Sequence, residues 1–231
     1  MASRRPGRSN PQPKSGGRKP VKGGAKAGAK AGVKAPDSTP RIIGGRFRGK
    51  RLAYSGDART RPMKDRVREA TFNLIGPVDA TTLAIDLFAG TGALALEALS
   101  RGARDAILIE RHFPTAKLIR QNAENLGVQD HCRIVTSDTF HWVRKYLAEA
   151  ANSAPWLVFC SPPYALYEEL ADEMLQLLVT FQDACPPGST LVAEFDERFS
   201  PEQLPLPDAW NTRAYPPAIV SIWRKRPPVA E

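Results

Sequence analysis

Apolar and polar positions follow two periods along the chain. After Thr81, short apolar runs alternate with longer stretches of helical spacing. The runs Leu83–Phe88, Asp105–Ile109, Arg133–Thr136, Trp156–Cys160 and Thr190–Phe195 predict strands. Between them, Gly92–Ser100, Pro114–Leu126, Thr139–Ala150 and Leu166–Phe181 predict helices, the first two followed by Gly102 and Gly127. Trp210–Tyr215 and Ala218–Arg224 predict a closing antiparallel pair across Pro216-Pro217. Strands separated by helices of this length imply right-handed βαβ units, hence an α/β fold with a mostly parallel sheet and helices on both faces. Upstream, Arg41–Leu52 predicts two short strands around a Gly-rich turn. Arg59–Ile75 predicts a helix with Val67, Phe72 and Ile75 on its apolar side, stopped by Gly76-Pro77.

Charge divides the chain differently. Of the formal net charge of +9, residues 1–40 carry the whole amount, with ten basic residues against Asp37. That segment is rich in Gly and Pro, and its only large aliphatics are Val21 and Val33. It predicts a disordered polycation, attracted to RNA or DNA phosphates or serving only as a solubilising extension. Residues 41–80 hold ten basic and four acidic residues, a net of +6, so residues 81–231 carry −6. The expected organisation is a basic tail (1–40), a basic extension (41–80) and a catalytic-type α/β domain (81–231). Three scattered cysteines, Cys132, Cys160 and Cys185, argue against a disulfide framework and a zinc site. His112, His131 and His141 show no metal spacing and read as structural or surface residues. The sequence shows no apolar run of transmembrane length and no secretory signal, so a cytoplasmic protein without a membrane partner or metal is expected.

Ligands of such sheets sit at the carboxyl ends of the strands. There, Asp86-Leu-Phe-Ala-Gly-Thr-Gly92 leads from the first strand into a helix and, with Ala95, reads G-x-G-x-x-A. Glu110 ends the second strand, where an acid can accept from two ribose hydroxyls. Asp138, followed by Thr139, comes after the third strand and can take an adenine amine. A dinucleotide would bring a pyrophosphate to the helix start, where Asp86 repels it; S-adenosylmethionine brings a cationic amine and a sulfonium, which Asp86 suits. The spacing therefore favours S-adenosylmethionine.

A second corner, Ser161-Pro-Pro-Tyr164, follows the fourth strand. Prolines have no N–H, so the corner is rich in acceptors. An exocyclic amine on a base is a poor nucleophile, and two acceptors on its hydrogens turn its lone pair toward a methyl donor. The Ser161 side chain and the Pro162 carbonyl can supply them, with Tyr164 stacking on the base.

These motifs resemble the cofactor and amine-site motifs of class I S-adenosylmethionine-dependent amino-methyltransferases. More narrowly, Arg41-Ile-Ile-Gly-Gly, Arg48-Gly-Lys-Arg-Leu52, Thr60-Arg-Pro, Asp65-Arg-Val-Arg-Glu69 and Gly92–Gly102 resemble the RsmD family of 16S rRNA guanine-N2 methyltransferases. The resemblance spans about residues 41–226. It implies a Rossmann-like, seven-stranded methyltransferase sheet and methylation of a guanine N2 amine in 16S rRNA, free or in the small ribosomal subunit; a monomer is expected. Cofactor contacts would fall to Asp86, Phe88, Ala89, Gly90, Gly92, Glu110, Asp138 and Thr139. The amine site would be Ser161, Pro162, Pro163 and Tyr164. RNA contacts would come from Arg46, Arg48, Arg61 and Arg66, with Lys50, Arg51 and Arg68 as further candidates and some of these arginines pairing with Asp65 and Glu69. The family pattern has Asp where this chain has Ser161, and a neutral hydroxyl is a weaker acceptor than a carboxylate. The alternatives are a non-catalytic RNA-binding or ribosome-assembly protein on the same fold, a DNA amine methyltransferase, and an NAD-dependent oxidoreductase.

Overall fold

A computed structural model describes residues 39–56, 63–150 and 154–226. The expectations for the tail, for the start of the helix at Arg59 and for Arg61 lie outside the described residues. The described residues all fall within one compact unit, Ser38–Glu231.

Seven strands form one sheet: β1 (Leu83–Asp86), β2 (Asp105–Ile109), β3 (Cys132–Val135), β4 (Trp156–Cys160), β5 (Thr190–Asp196), β6 (Asn211–Tyr215) and β7 (Ala218–Arg224). Their order is β3-β2-β1-β4-β5-β7-β6. The first five are parallel, and β7 runs antiparallel between β5 and β6. The order reverses between β1 and β4, which opens a crevice at their carboxyl ends.

Alternate residues of each strand face opposite sides. Ile85, Ile107, Val158 and Phe195 pack on one side with Trp142 of α4 (Thr139–Ala150) and Leu178 and Phe181 of α6 (Ala171–Ala184). Ala84, Leu108, Phe159 and Val192 pack on the other with α1 (Asp65–Ile75), α2 (Ala93–Ser100) and α3 (Phe113–Leu126). Helices therefore cover both faces.

Helix α2 explains how residues 41–80 are placed. Its sequence, Ala93-Leu-Ala-Leu-Glu-Ala-Leu-Ser100, favours helix throughout and is apolar nearly all round. Every residue of it is buried, so something must cover the side away from the sheet. Residues 41–52 do so, with Ile42 and Leu52 each 1% exposed. The expected pair of strands here is reduced to one antiparallel bridge, Arg41 to Arg51, around a short 3₁₀ turn at Gly45–Phe47. The reason is competition for the backbone donors. The N–H groups of Ile43 and Gly44 donate to Glu97 of α2 at 2.7 and 2.6 Å, and that of Phe47 donates to Ser100 Oγ at 2.9 Å. Gly45 adopts φ +72°, and an added Cβ would stand 1.9 Å from the Ser100 carbonyl oxygen, so only glycine fits.

Glu97 is fully buried and also accepts from Arg101 Nε at 2.9 Å. Arg68 of α1 lies beside it, its Nε 3.8 Å from the Glu97 carboxylate. Arg68 is also fully buried and donates to the Arg41 carbonyl, to the Met63 carbonyl at 3.1 Å and to Asp65 at 3.0 Å. Burial pulls its pKa down, against the pull of Asp65 and Glu97. Arg68 is thus a structural cation and not an RNA contact, a correction to its place among the candidates.

The single helix expected over Leu166–Phe181 is two, α5 (Leu166–Glu169) and α6, broken at Leu170, where φ and ψ are −134° and 46°.

Glu97→Gln would put an amide NH2 against backbone donors and remove the charge facing Arg68 and Arg101. The expected loss is about 3 kcal/mol of unfolding free energy, as for breaking a buried ion pair, read by denaturant melts. A loss below about 1 kcal/mol would mean the carboxylate is not what holds residues 41–52 down.

Candidate active site

A cavity of about 480 Å³ opens at the carboxyl ends of the strands. On one side stand Phe88, Gly90, Glu110, Asp138 and Thr139; on the other stand Ser161, Pro162, Pro163, Tyr164 and Glu194. The two motifs read from the sequence therefore share one chamber. Met63, Lys64 and Val67, at and before the start of α1, complete its wall. Ala89, Gly92 and Asp86 are not among the lining residues.

The loop after β1 is fixed from several sides. Gly90 and Gly92 adopt φ +52° and +78°. A Cβ on Gly92 would press on Ile119 and Leu108 at 3.1 and 3.2 Å. Glu110 accepts from Gly90 N–H at 2.9 Å and from His112 N–H at 2.7 Å, one bond per oxygen. Each oxygen keeps acceptor capacity for a ligand hydroxyl. Thr139 donates its hydroxyl to the Leu87 carbonyl. Asp138 accepts from His141 N–H at 3.0 Å, which caps α4 and leaves its other oxygen for a ligand. On the outside, Asn122 of α3 binds both polar backbone groups of Ala53, at 2.6 and 3.1 Å, and donates to the Thr91 carbonyl at 3.3 Å.

Asp86 sits under this loop, 1% exposed. Neither oxygen has a hydrogen bond of normal geometry. Burial raises its pKa to about 7; the nearby amides of Ala95 and Phe88 offset part of this, and the Glu110 charge adds to it. A buried carboxylate without a partner is the one group here that a nearby cation would relieve.

At the other side, the register brings a second carboxylate to the amine corner. β4 and β5 pair in parallel with Cys160 opposite Ala193, so the next residues, Ser161 and Glu194, emerge side by side. Ser161 donates its hydroxyl to Glu194 Oε2, and Tyr164 donates its own to Oε1 at 2.8 Å. Glu194 is 4% exposed, and burial raises its pKa against the lowering effect of the two hydroxyls. Sequence reasoning missed Glu194, although an acid inside Leu191-Val-Ala-Glu-Phe195 was a visible signal.

The predicted RNA-contact positions Arg46, Arg48 and Arg66 are not among the residues that line the chamber. Arg46, Arg48 and Arg66 are exposed on residues 41–52 and α1, and Arg46 lies over the Phe47 ring at 4.5 Å. His131 pairs with Asp105 at 3.1 Å and His141 is exposed. His112 bonds Thr115 at 2.8 Å and also lines the chamber. Among the described residues, no cluster of His, Cys, Asp or Glu has the makings of a metal site, and no helix is long and apolar enough to cross a membrane.

The donor set fits a sulfonium nucleoside better than a dinucleotide. The Gly90 N–H, which would otherwise greet a phosphate, is already taken by the Glu110 carboxylate. Sheet order, loop and acceptor corner together define a class I S-adenosylmethionine-dependent methyltransferase. Comparison with known proteins agrees. A family model described as "Conserved hypothetical protein 95" matches residues 40–215. The putative rRNA methyltransferase YlbH of Bacillus subtilis is 31% identical over 189 residues, 80% of this chain and 99% of that protein. Ribosomal RNA small subunit methyltransferase D of Escherichia coli K12 is 38% identical over 138 residues, 60% of this chain and 66% of that protein. Among solved structures, a putative methyltransferase yhhF from Escherichia coli aligns with a TM-score of 0.64 at 27% identity, covering 81% of this chain and 98% of the other. An RNA methyltransferase from Salinibacter ruber in complex with S-adenosyl-L-homocysteine shares the fold, with a TM-score of 0.50 at 23% identity, covering 74% and 97%. The chain belongs to the Conserved hypothetical protein 95 family, the RsmD family of class I methyltransferases.

The raised Asp86 carboxyl gives a signed pH effect. The folded state holds this proton up to about pH 7 and the unfolded state releases it near 3.8. Its penalty on stability therefore grows as pH rises between those values and is complete above about 7. Asp86→Asn removes it. The melting temperature of the variant minus that of the cofactor-free wild type should rise from pH 4 to pH 8; a difference independent of pH would place the Asp86 pKa near its ordinary value.

Proposed function

We propose that this protein transfers the methyl group of S-adenosylmethionine to the exocyclic N2 amine of a guanine in small-subunit rRNA, as a cytoplasmic monomer. One observation carries the reading: the acceptor corner Ser161–Tyr164 lines the same chamber as Gly90, Glu110 and Asp138. The relatives named for rRNA methylation support the substrate class.

The cofactor, when bound, supplies an electrophilic methyl on a sulfonium. The rest of the work belongs to this chain. Glu110 and Asp138 each retain acceptor capacity for ribose hydroxyls and an adenine amine, and the backbone between Gly90 and Gly92 lets the ligand approach closely. Phe88 and Thr139 shape the same wall; Ala89 and Gly92 act through the loop they belong to. The guanine amine is held by the Ser161 oxygen and the Pro162 carbonyl, while Pro163 keeps the corner rigid and the Tyr164 ring offers a stacking face. Neither proline has an N–H to compete for these acceptors. Holding the amine in line for attack lowers the barrier mainly through positioning. Exposed Arg66, next to Val67 of the chamber wall, provides phosphate contacts there, and Arg46 and Arg48 provide them farther off, beside the C-terminal end of α2 where Phe47 bonds Ser100.

Calorimetry should show binding of S-adenosylmethionine, and labelled methyl should pass from it to in vitro transcribed small-subunit rRNA. Cofactor binding without transfer to this RNA would overturn the proposal. The double variant Arg46→Ala/Arg48→Ala should weaken rRNA binding and flatten its salt dependence by about one to two in log–log slope, with cofactor affinity unchanged. An unchanged slope would remove these arginines from the interface.

A further inference from the structure

Ser161 is a neutral hydroxyl at the point where the target amine is to be held. A free hydroxyl can turn either way, donating or accepting. Here it cannot. Its one proton is committed to Glu194 Oε2, and the Tyr164 hydroxyl is committed to Oε1 at 2.8 Å. Both oxygens of the carboxylate face a donor, the arrangement an ionised carboxylate stabilises. What the Ser161 oxygen has left for the chamber is lone pairs alone. The neighbouring prolines add carbonyls and no donors. An entering group that brings N–H bonds is satisfied; a keto oxygen or an unprotonated ring nitrogen meets lone pairs against lone pairs, a costly mismatch in a partly desolvated site.

We propose that Glu194 is the positioning residue that makes Ser161 an obligate hydrogen-bond acceptor and thereby selects an amine as the methyl-accepting group. The inference rests on the methyltransferase reading above and adds a residue to it. The carboxylate also polarises the hydroxyl oxygen through a charge-assisted bond, which strengthens it as an acceptor. Negative charge at the amine corner thus comes from β5, one bond away, and not from the residue at position 161. Placement is set by the sheet: the parallel register with Cys160 opposite Ala193 leaves no other residue of β5 beside Ser161. Burial of Glu194 excludes the water that would otherwise compete for either hydroxyl.

The test measures single-turnover methyl transfer from labelled S-adenosylmethionine to in vitro transcribed small-subunit rRNA, cofactor affinity by calorimetry, and melting temperature. In Glu194→Gln the amide turns one of the two hydroxyls round, and whichever it is, the charge that polarises the Ser161 oxygen is lost. Transfer should fall about 100-fold, as when a single oriented hydrogen-bonding group is lost, with cofactor affinity and melting temperature held. The double variant Ser161→Asp/Glu194→Gln returns a carboxylate to the corner, with the amide now donating to it. It should recover transfer to about a tenth of wild type or better, a rescue that a merely structural role for Glu194 would not give. Transfer by Glu194→Gln within about twofold of wild type, or a double variant no better than Glu194→Gln alone, would overturn the inference while leaving the methyltransferase reading intact. No transfer by the wild-type chain would overturn both.

Discussion

A single buried carboxylate joins the two halves of the site. Glu97 lies on a helix with no exposed face, so the segment covering that helix must be fastened to it, and the fastening is ionic and directional. Through the amides of Ile43 and Gly44 it holds residues 41–52. Through Arg68 it reaches α1, whose start contributes Met63, Lys64 and Val67 to the chamber. The same helix begins at Gly92, so the loop carrying Gly90 is set by the other end of the element Glu97 anchors. Asn122 ties the two again by binding Ala53 and Thr91 together. Met63, Lys64 and Val67 are therefore a wall of the chamber, and residues 41–53 are part of its support.

The charges divide by task. Acids that face the chamber, Glu110, Asp138 and Glu194, are each held by backbone amides or hydroxyls, which fixes their direction without neutralising them. Asp86 has only the poorly aligned amides of Ala95 and Phe88 against its burial, and its pKa rises to about 7. The arginines divide as well: Arg68 is held by Asp65 and the Arg41 and Met63 carbonyls beside Glu97, Arg101 pairs with Glu97, and Arg46, Arg48 and Arg66 stay on the surface. A net charge summed over residues 41–80 thus mixes cations that hold the fold with cations exposed on the surface.

The sheet was legible because each parallel strand is a short apolar run bounded by turn residues, and the helices between them have clear stops such as Gly102 and Gly127. Both ligand motifs were legible because strand ends are where such folds place chemistry. The missed features depend on partners distant in sequence. Residues 41–52 look like a hairpin until Glu97 and Ser100 take their backbone donors. Leu166–Phe181 looks like one helix because its periodicity continues through Leu170. Arg68 looks like its neighbours until Glu97 and Asp65 surround it. Glu194 becomes informative only when the β4–β5 register sets it beside Ser161. Asp86 is at the expected strand end, but it is buried and not among the residues that line the chamber.

On the proposed function, the geometry of the amine corner decides the product. Nucleoside mass spectrometry of small-subunit rRNA, after incubation with this protein and S-adenosylmethionine, tests that most directly. A new N2-methylguanosine is the predicted result. Methylation at a ring carbon, at a ribose hydroxyl or at a base lacking an exocyclic amine would contradict it.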